Sequence, residues 1–210
     1  MKKLYYFLPL CLLVFFACRK TPDTQKLSAN FAVQTAKDAN ANFGEYKTYY
    51  ISDTIALRTT DPNDTLWTNG DARQLVATVK SNMNERGYTL VSRKSQPDIG
   101  LAMTAIKDLN IGVYYPGWWY GGYWGYWGGC YWGYCGYPPY YGYGAIYSIP
   151  TGTLILDMID VKNAASTGKL NSIWSSVMSG GLGYTNDDVQ LGVEAVNQSF
   201  EQSPYIQASR

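Results

Sequence analysis

The sequence predicts an α+β domain: a mainly antiparallel sheet with two helices packed on one face, plus an aromatic and glycine-rich hairpin or loop insertion. Three observations lead there. Two segments repeat apolar residues at helical spacing, and four short runs are β-branched, aromatic or continuously apolar. Their order along the chain is strand, helix, three strands, helix.

Folding is expected to begin near Phe43. Tyr46-Lys47-Thr48-Tyr49-Tyr50-Ile51 is β-branched and aromatic with no breaker, which favours a strand. Asp61-Pro62-Asn63-Asp64 is a turn cluster. From Asp71 to Glu85, Leu75, Val76, Val79 and Met83 recur at helical spacing, with Asn69 or Asp71 as N-cap and Gly87 as the C-terminal glycine. The run from Asp98 to Asp108 carries Ile99, Leu101, Met103 and Ile106 after Pro97 and is expected to be a buried strand. Two more strands are expected at Gly152 to Val161 and Ser172 to Ser179. The last helix has Thr185 as its cap, Asp187 and Asp188 where carboxylates favour the positive end of the helix dipole, and Val189, Val193, Val196 and Phe200 on one face until Pro204.

The N-terminus reads as an export signal. Met1-Lys2-Lys3 is followed by an apolar run from Leu4 to Ala17, then by Cys18 and the pair Arg19-Lys20. That run is shorter than the ~20 residues a membrane span requires. Phe15-Phe16-Ala17-Cys18 resembles a lipobox, so residues 1–17 are expected to be a signal peptide and Cys18 the site of lipid attachment. Residues 18–42 are rich in Thr, Asp, Gln, Ser, Ala and Asn, which suits a flexible tether to a lipid-anchored domain. Arg19 stands where inner-membrane retention signals in some bacteria carry Asp, so the expected location is the outer membrane of a cell envelope.

Composition excludes several functions. The 210-residue chain has 17 Lys and Arg against 16 Asp and Glu, and loss of Lys2 and Lys3 with the signal would leave a net charge of −1. That is no basic footprint for nucleic acid. With no histidine in the chain, Ser-His-Asp and Cys-His nucleophiles and histidine-ligated zinc are ruled out. No cofactor or metal is expected.

Residues 112–148 form the insertion. Between Tyr114 and Tyr147 almost every residue is Tyr, Trp, Gly or Pro, none is charged, and five of the chain's seven tryptophans lie there. Three readings stand side by side. The aromatics cover the sheet as core. Alternatively Trp118, Trp119, Tyr120, Tyr123, Trp124, Tyr126, Trp127 and Trp132 form a binding surface for an envelope protein or glycan. In the third reading the segment lies at a membrane interface or self-associates. Cys130 and Cys135 are a candidate disulfide in an oxidising compartment, because further zinc ligands are lacking and the spacing is not the C-x-x-C of redox catalysts.

Few residues suggest reaction chemistry. Asp157 and Asp160 are the pair that could serve as acid and base in an envelope glycan-acting enzyme or hold Ca²⁺, but strand alternation puts them on opposite faces unless a bulge intervenes. Ser175, Ser176 and Ser179 lack a G-x-S-x-G context, and Gly180-Gly181-Leu182-Gly183 lacks the Lys and Ser/Thr of a phosphate loop.

With these elements placed, the chain resembles the DUF4136 family of bacterial lipoproteins. The matching residues are Phe43-Gly44-Glu45-Tyr46-Lys47-Thr48-Tyr49, Arg86-Gly87-Tyr88, Pro97-Asp98-Ile99, Gly152-Thr153-Leu154-Ile155-Leu156-Asp157-Met158-Ile159-Asp160, Ile173-Trp174 and a last helix ending at Pro204. The resemblance covers residues 43–207 and implies an α+β fold and an envelope location, without a reaction. It departs at Ser175-Ser176, where the family often has Arg-Gly. The chain is therefore read as a non-catalytic, lipid-anchored scaffold or binding module.

Overall fold

The computed structural model describes residues 31–114, 130–131, 134–135, 139–141, 146–183 and 188–209. The signal, Cys18, most of the aromatic segment, Thr185 and Asp187 lie outside the described residues. The chain opens with β1 (Ala32–Lys37), β2 (Thr48–Ile51), β3 (Ile55–Arg58) and β4 (Leu66–Trp67), then α1 (Gly70–Glu85) and β5 (Thr89–Leu90). It continues through β6 (Ile99–Ile106), β7 (Ile111–Tyr114), β8 (Cys130–Tyr131), β9 (Tyr134–Cys135), β10 (Pro139–Tyr141) and β11 (Ile146–Ile149). It closes with β12 (Thr153–Asp160), the single-turn α2 (Ala164–Thr167), β13 (Leu170–Ser179) and α3 (Val189–Glu201).

The α+β class holds, but the sheet is mixed rather than mainly antiparallel. Among the described residues, nine strands join one sheet along the path β1-β13-β12-β6-β2-β5, with β3 also on β6, β4 on β3 and β10 on β13. Its antiparallel pairs join β1, β13, β12 and β6 in turn and β3 with β4, whereas β10 runs parallel to β13. Parallel pairing enters where β2 and β3 lie beside β6, because α1 falls between them in sequence and returns the chain to the same end of the sheet. A helix crossover of this kind forces the parallel direction, which the local composition of the strands does not encode.

The domain also begins earlier than position 43. Residues 32–37, expected to be tether, are an edge strand whose six residues pair in register with β13, from Ala32 opposite Ser179 to Lys37 opposite Trp174. None of the six is fully buried, so the segment has the small and polar residues of an edge rather than the apolar residues of a core strand.

Both long helices follow their local signals. Asn69 caps α1, its side chain accepting from the backbone N–H groups of Asp71 and Ala72 at 3.0 and 3.1 Å. Gly87 ends that helix at φ +86°, a conformation that favours glycine. Asp188, expected within the first turn of α3 behind a Thr185 cap, is itself the N-cap, accepting from the Leu191 N–H at 3.0 Å. Leu75, Val76, Val79 and Met83 of α1 join Ala195, Val196 and Phe200 of α3 in one cluster with Leu101, Met103, Leu154, Leu156, Met158 and Trp174 of the sheet. The approach is close enough that a Cβ added at Gly192 would lie 2.8 Å from Leu75 Cδ2 and 3.3 Å from Leu154 Cδ1. A separate cluster, Ile106, Ile149, Ile155 and Val177, lies on the other face of the sheet.

Candidate functional site

The two carboxylates singled out from sequence are not brought together. Along β12 the residues Leu154, Leu156 and Met158 enter the helix-side core, whereas Ile155 belongs to the cluster on the second face. Asp157 alternates with Ile155 and stands directly opposite Ala102 on β6 and Ser175 on β13, on that second face. Asp160 falls on the helix side, opposite Ile99. A register shift does occur near Met158 and Ile159, but only against β13, where Ile173 is the extra residue; the ladder with β6 runs unbroken from Thr153 to Asp160. The alternation along β12 therefore survives.

Asp160 organises the turn into α2, accepting from the Asn163 backbone N–H at 3.0 Å and from Asn163 Nδ2 at 2.9 Å. The buried Tyr46 phenol is pushed well above its ordinary range by burial first and by the Asp160 charge second. Asp157 is 2% exposed. Its neighbour Ser175 has a buried hydroxyl with no hydrogen-bond partner among the described residues. One residue on, Ser176 faces the helices and shares a 2.7 Å hydrogen bond with Ser199 of α3.

The remaining motif residues tie strands together. Asp98 accepts from the N–H groups of Lys47 and Thr48 at 2.7 and 3.0 Å, and its own N–H donates to Thr48 Oγ1 at 2.9 Å, which fixes the start of β2 against the start of β6. Tyr88 donates to the Phe43 carbonyl at 3.1 Å, and burial drives its phenol strongly upward. Trp174 is fully buried, donates to Ser203 Oγ at 2.9 Å and lies 5.6 Å from the Phe200 ring.

Around the insertion the backbone is described in parts. β7 and β11 pair antiparallel, with Tyr114 opposite Ile146 and Ile111 opposite Ile149, so the two ends of the segment are held side by side. β8 and β9 place Cys130 opposite Cys135 in register. The side chains of Cys130, Cys135, Trp118, Trp119, Tyr120, Tyr123, Trp124, Tyr126, Trp127 and Trp132 lie outside the described residues. Among the described residues no helix is long and apolar enough to cross a membrane.

Sequence reasoning did not single out the groove between α1 and α3. This cavity of about 520 Å³ is lined by Asn82, Glu85, Arg86, Val193, Asn197 and Glu201 among others. Helical spacing marks the apolar side of each helix, but the groove arises from polar residues at the seam between them.

A family model described as a domain of unknown function, DUF4136, matches residues 33–205. The chain is similar to the crystal structure of a DUF4136 family protein from Bacteroides thetaiotaomicron, at 32% identity and a TM-score of 0.69, over 86% of this chain and 99% of that one. More distant similarity connects it to the PelC dodecamer from Paraburkholderia phytofirmans, at 13% identity and a TM-score of 0.36 over 86% of this chain and 99% of that one. A PDZ domain protein from Parabacteroides distasonis matches at 14% identity and a TM-score of 0.41, over 86% of this chain and 38% of that one. Likeness at that distance bears on neither assembly nor ligand. Among curated proteins no relative matches.

Proposed function

Because the chain belongs to the DUF4136 family, a domain of unknown function, we propose that it is a lipid-anchored cell-envelope protein of the outer membrane. Its domain acts as a non-catalytic scaffold or binding module that meets an envelope protein, a glycan or its own copies through the aromatic segment. The observation that carries this reading is where the polar side chains of the family motifs are spent. Asp98, Tyr88 and Asp160 each hold one part of the fold to another, and the uncharged run of Tyr and Trp carries the chemistry suited to binding. Rigid aromatic faces bind sugars and peptides with little loss of side-chain entropy. A glycan-acting enzyme built on Asp157 and Asp160 gains no support from carboxylates on opposite faces of one sheet.

Lipid attachment at Cys18 would place the domain at a membrane surface and make a spanning helix unnecessary. Fractionation tests the anchor: the wild-type chain is expected in the membrane fraction and Cys18→Ala in the soluble one. Retention of Cys18→Ala in the membrane would overturn lipidation as the anchor. The soluble Cys18→Ala form is then expected to co-sediment with envelope material stripped of lipid, and its failure to do so would remove the binding role.

A further inference from the structure

The groove between α1 and α3 has the chemistry of a ligand site independent of the aromatic segment. Its central cation is Arg86, half-buried at the C-terminal end of α1. One guanidinium nitrogen, Nη1, donates to Asn82 O and Asn82 Oδ1, both at 3.1 Å. The guanidinium carbon lies 4.9 Å from the centre of the Phe200 ring, so the fork is held by a ring on one side and an amide on another. Asn82 is itself 91% buried and held by Asn197 Oδ1 at 2.8 Å, which ties the arrangement across both helices.

Arg86 forms no ion pair with a carboxylate among the described residues. Its Nε and Nη2 hydrogens therefore remain unspent among those residues, in a groove large enough for a small ligand. A half-buried guanidinium with unspent donors favours a planar oxyanion that accepts two of them at once. Burial lowers the Arg86 pKa against the opposing charges of Glu85 and Glu201, and a bound carboxylate would offset the remainder of that cost.

The two acids on the same groove decide what else the ligand carries. Glu85 and Glu201 are exposed and line the cavity with Arg86, so a simple anion would meet two like charges there. A ligand with an ammonium group near its carboxylate satisfies all three. We propose that the α1/α3 groove binds a small zwitterion of the amino-acid or short-peptide class, with its carboxylate on Arg86 and its ammonium group between Glu85 and Glu201.

The probe is glycylglycine, titrated into the full-length protein labelled with ¹⁵N, reading the side-chain signals of Arg86, Asn82 and Asn197. Saturable shifts are expected, with at least about tenfold weaker binding of N-acetylglycylglycine and of glycylglycine amide. Arg86→Gln is expected to abolish the response. Since Arg86 also packs on Phe200, Glu85→Gln with Glu201→Gln supplies a second variant on exposed positions, expected to keep the melting temperature and to erase the preference for the free amine. Absence of saturable shifts in the wild type would overturn the site. Equal binding of the N-acetylated probe would overturn the zwitterion, and an unchanged response in a folded Arg86→Gln protein would overturn the anchor.

Discussion

The two faces of the central sheet are buried alike but composed differently. The helix side is closed by α1 and α3 with apolar residues, and its polar side chains have partners: Ser176 with Ser199, Trp174 with Ser203, and Tyr49 with Asn84 Oδ1 at 2.9 Å. The second face sets Asp157, Ser175 and Thr104 among Ile106, Ile155 and Val177, and the Ser175 hydroxyl has no partner among the described residues. One face uses its side chains to close the fold. The other sets buried Asp157, Ser175 and Thr104 among apolar residues, and substitutions should separate the two.

The largest effect is expected on the helix side. Trp174→Ala removes a fully buried ring, its contact with Phe200 and its hydrogen bond to Ser203. Chemical denaturation should show a loss of about 3–5 kcal/mol. A loss under about 1 kcal/mol would mean that α3 does not depend on that contact.

The helix side should also fail first in alkali. Burial pushes the Tyr49 phenol up to about 12 from 10.0, and Tyr46 and Tyr88 move in the same direction. A folded-state pKa above the unfolded one gives stability that is complete below the unfolded value. For Tyr49 that stability is lost as pH climbs from about 10 to about 12. Melting temperature measured across this window should fall steeply, and Tyr49→Phe should reduce the slope.

Asp98→Ala tests the junction between β2 and β6. It removes the shared carboxylate acceptor of the Lys47 and Thr48 N–H groups, and a loss of about 1–3 kcal/mol is expected. The neighbouring serines give the smallest and sharpest contrast. Ser176→Ala breaks a buried hydrogen bond and should cost about 1 kcal/mol. Ser175→Ala removes a buried hydroxyl with no partner among the described residues and should stay within about 0.5 kcal/mol of wild type, or stabilise. Equal losses at the two positions would erase the distinction between the faces.

What could be read from sequence follows from how local each feature is. α1 and α3 announce themselves through Leu75, Val79 and Met83 and through Val189, Val193 and Phe200, and Asn69 caps α1, because spacing and capping are properties of adjacent residues; the cap of α3 was expected at Thr185, three residues before the Asp188 that fills it. The turn at Asp61-Pro62-Asn63-Asp64 was equally local, with Asn63 N–H donating to Asp61 Oδ1 at 2.8 Å, but nothing local marked it as the closure between β3 and β4. β1 escaped because an edge strand buries little and Ala32–Lys37 has the composition of a tether. Strand direction escaped because it depends on a crossover spanning residues 52–98.

The candidate site divides in the same way. The separation of Asp157 from Asp160 followed from simple alternation along β12. The groove of Asn82, Arg86 and Asn197 did not, since its members are 115 residues apart at the extremes of one hydrogen bond. Arg86-Gly87-Tyr88 was visible as a family motif, yet its three residues do unlike jobs: the arginine lines a cavity, the glycine turns the chain, and the tyrosine holds Phe43.

The most direct test of the proposed role alters the aromatic segment without deleting it. Trp118, Trp119, Trp124 and Trp127 are replaced by Ser in a Cys18→Ala background, and melting and co-sedimentation with lipid-stripped envelope material are measured on the same samples. An unchanged cooperative melt with binding weakened about tenfold or more is the expected result. Binding equal to that of the parent, or loss of the cooperative melt, would contradict a domain that folds without these tryptophans and binds through its aromatics.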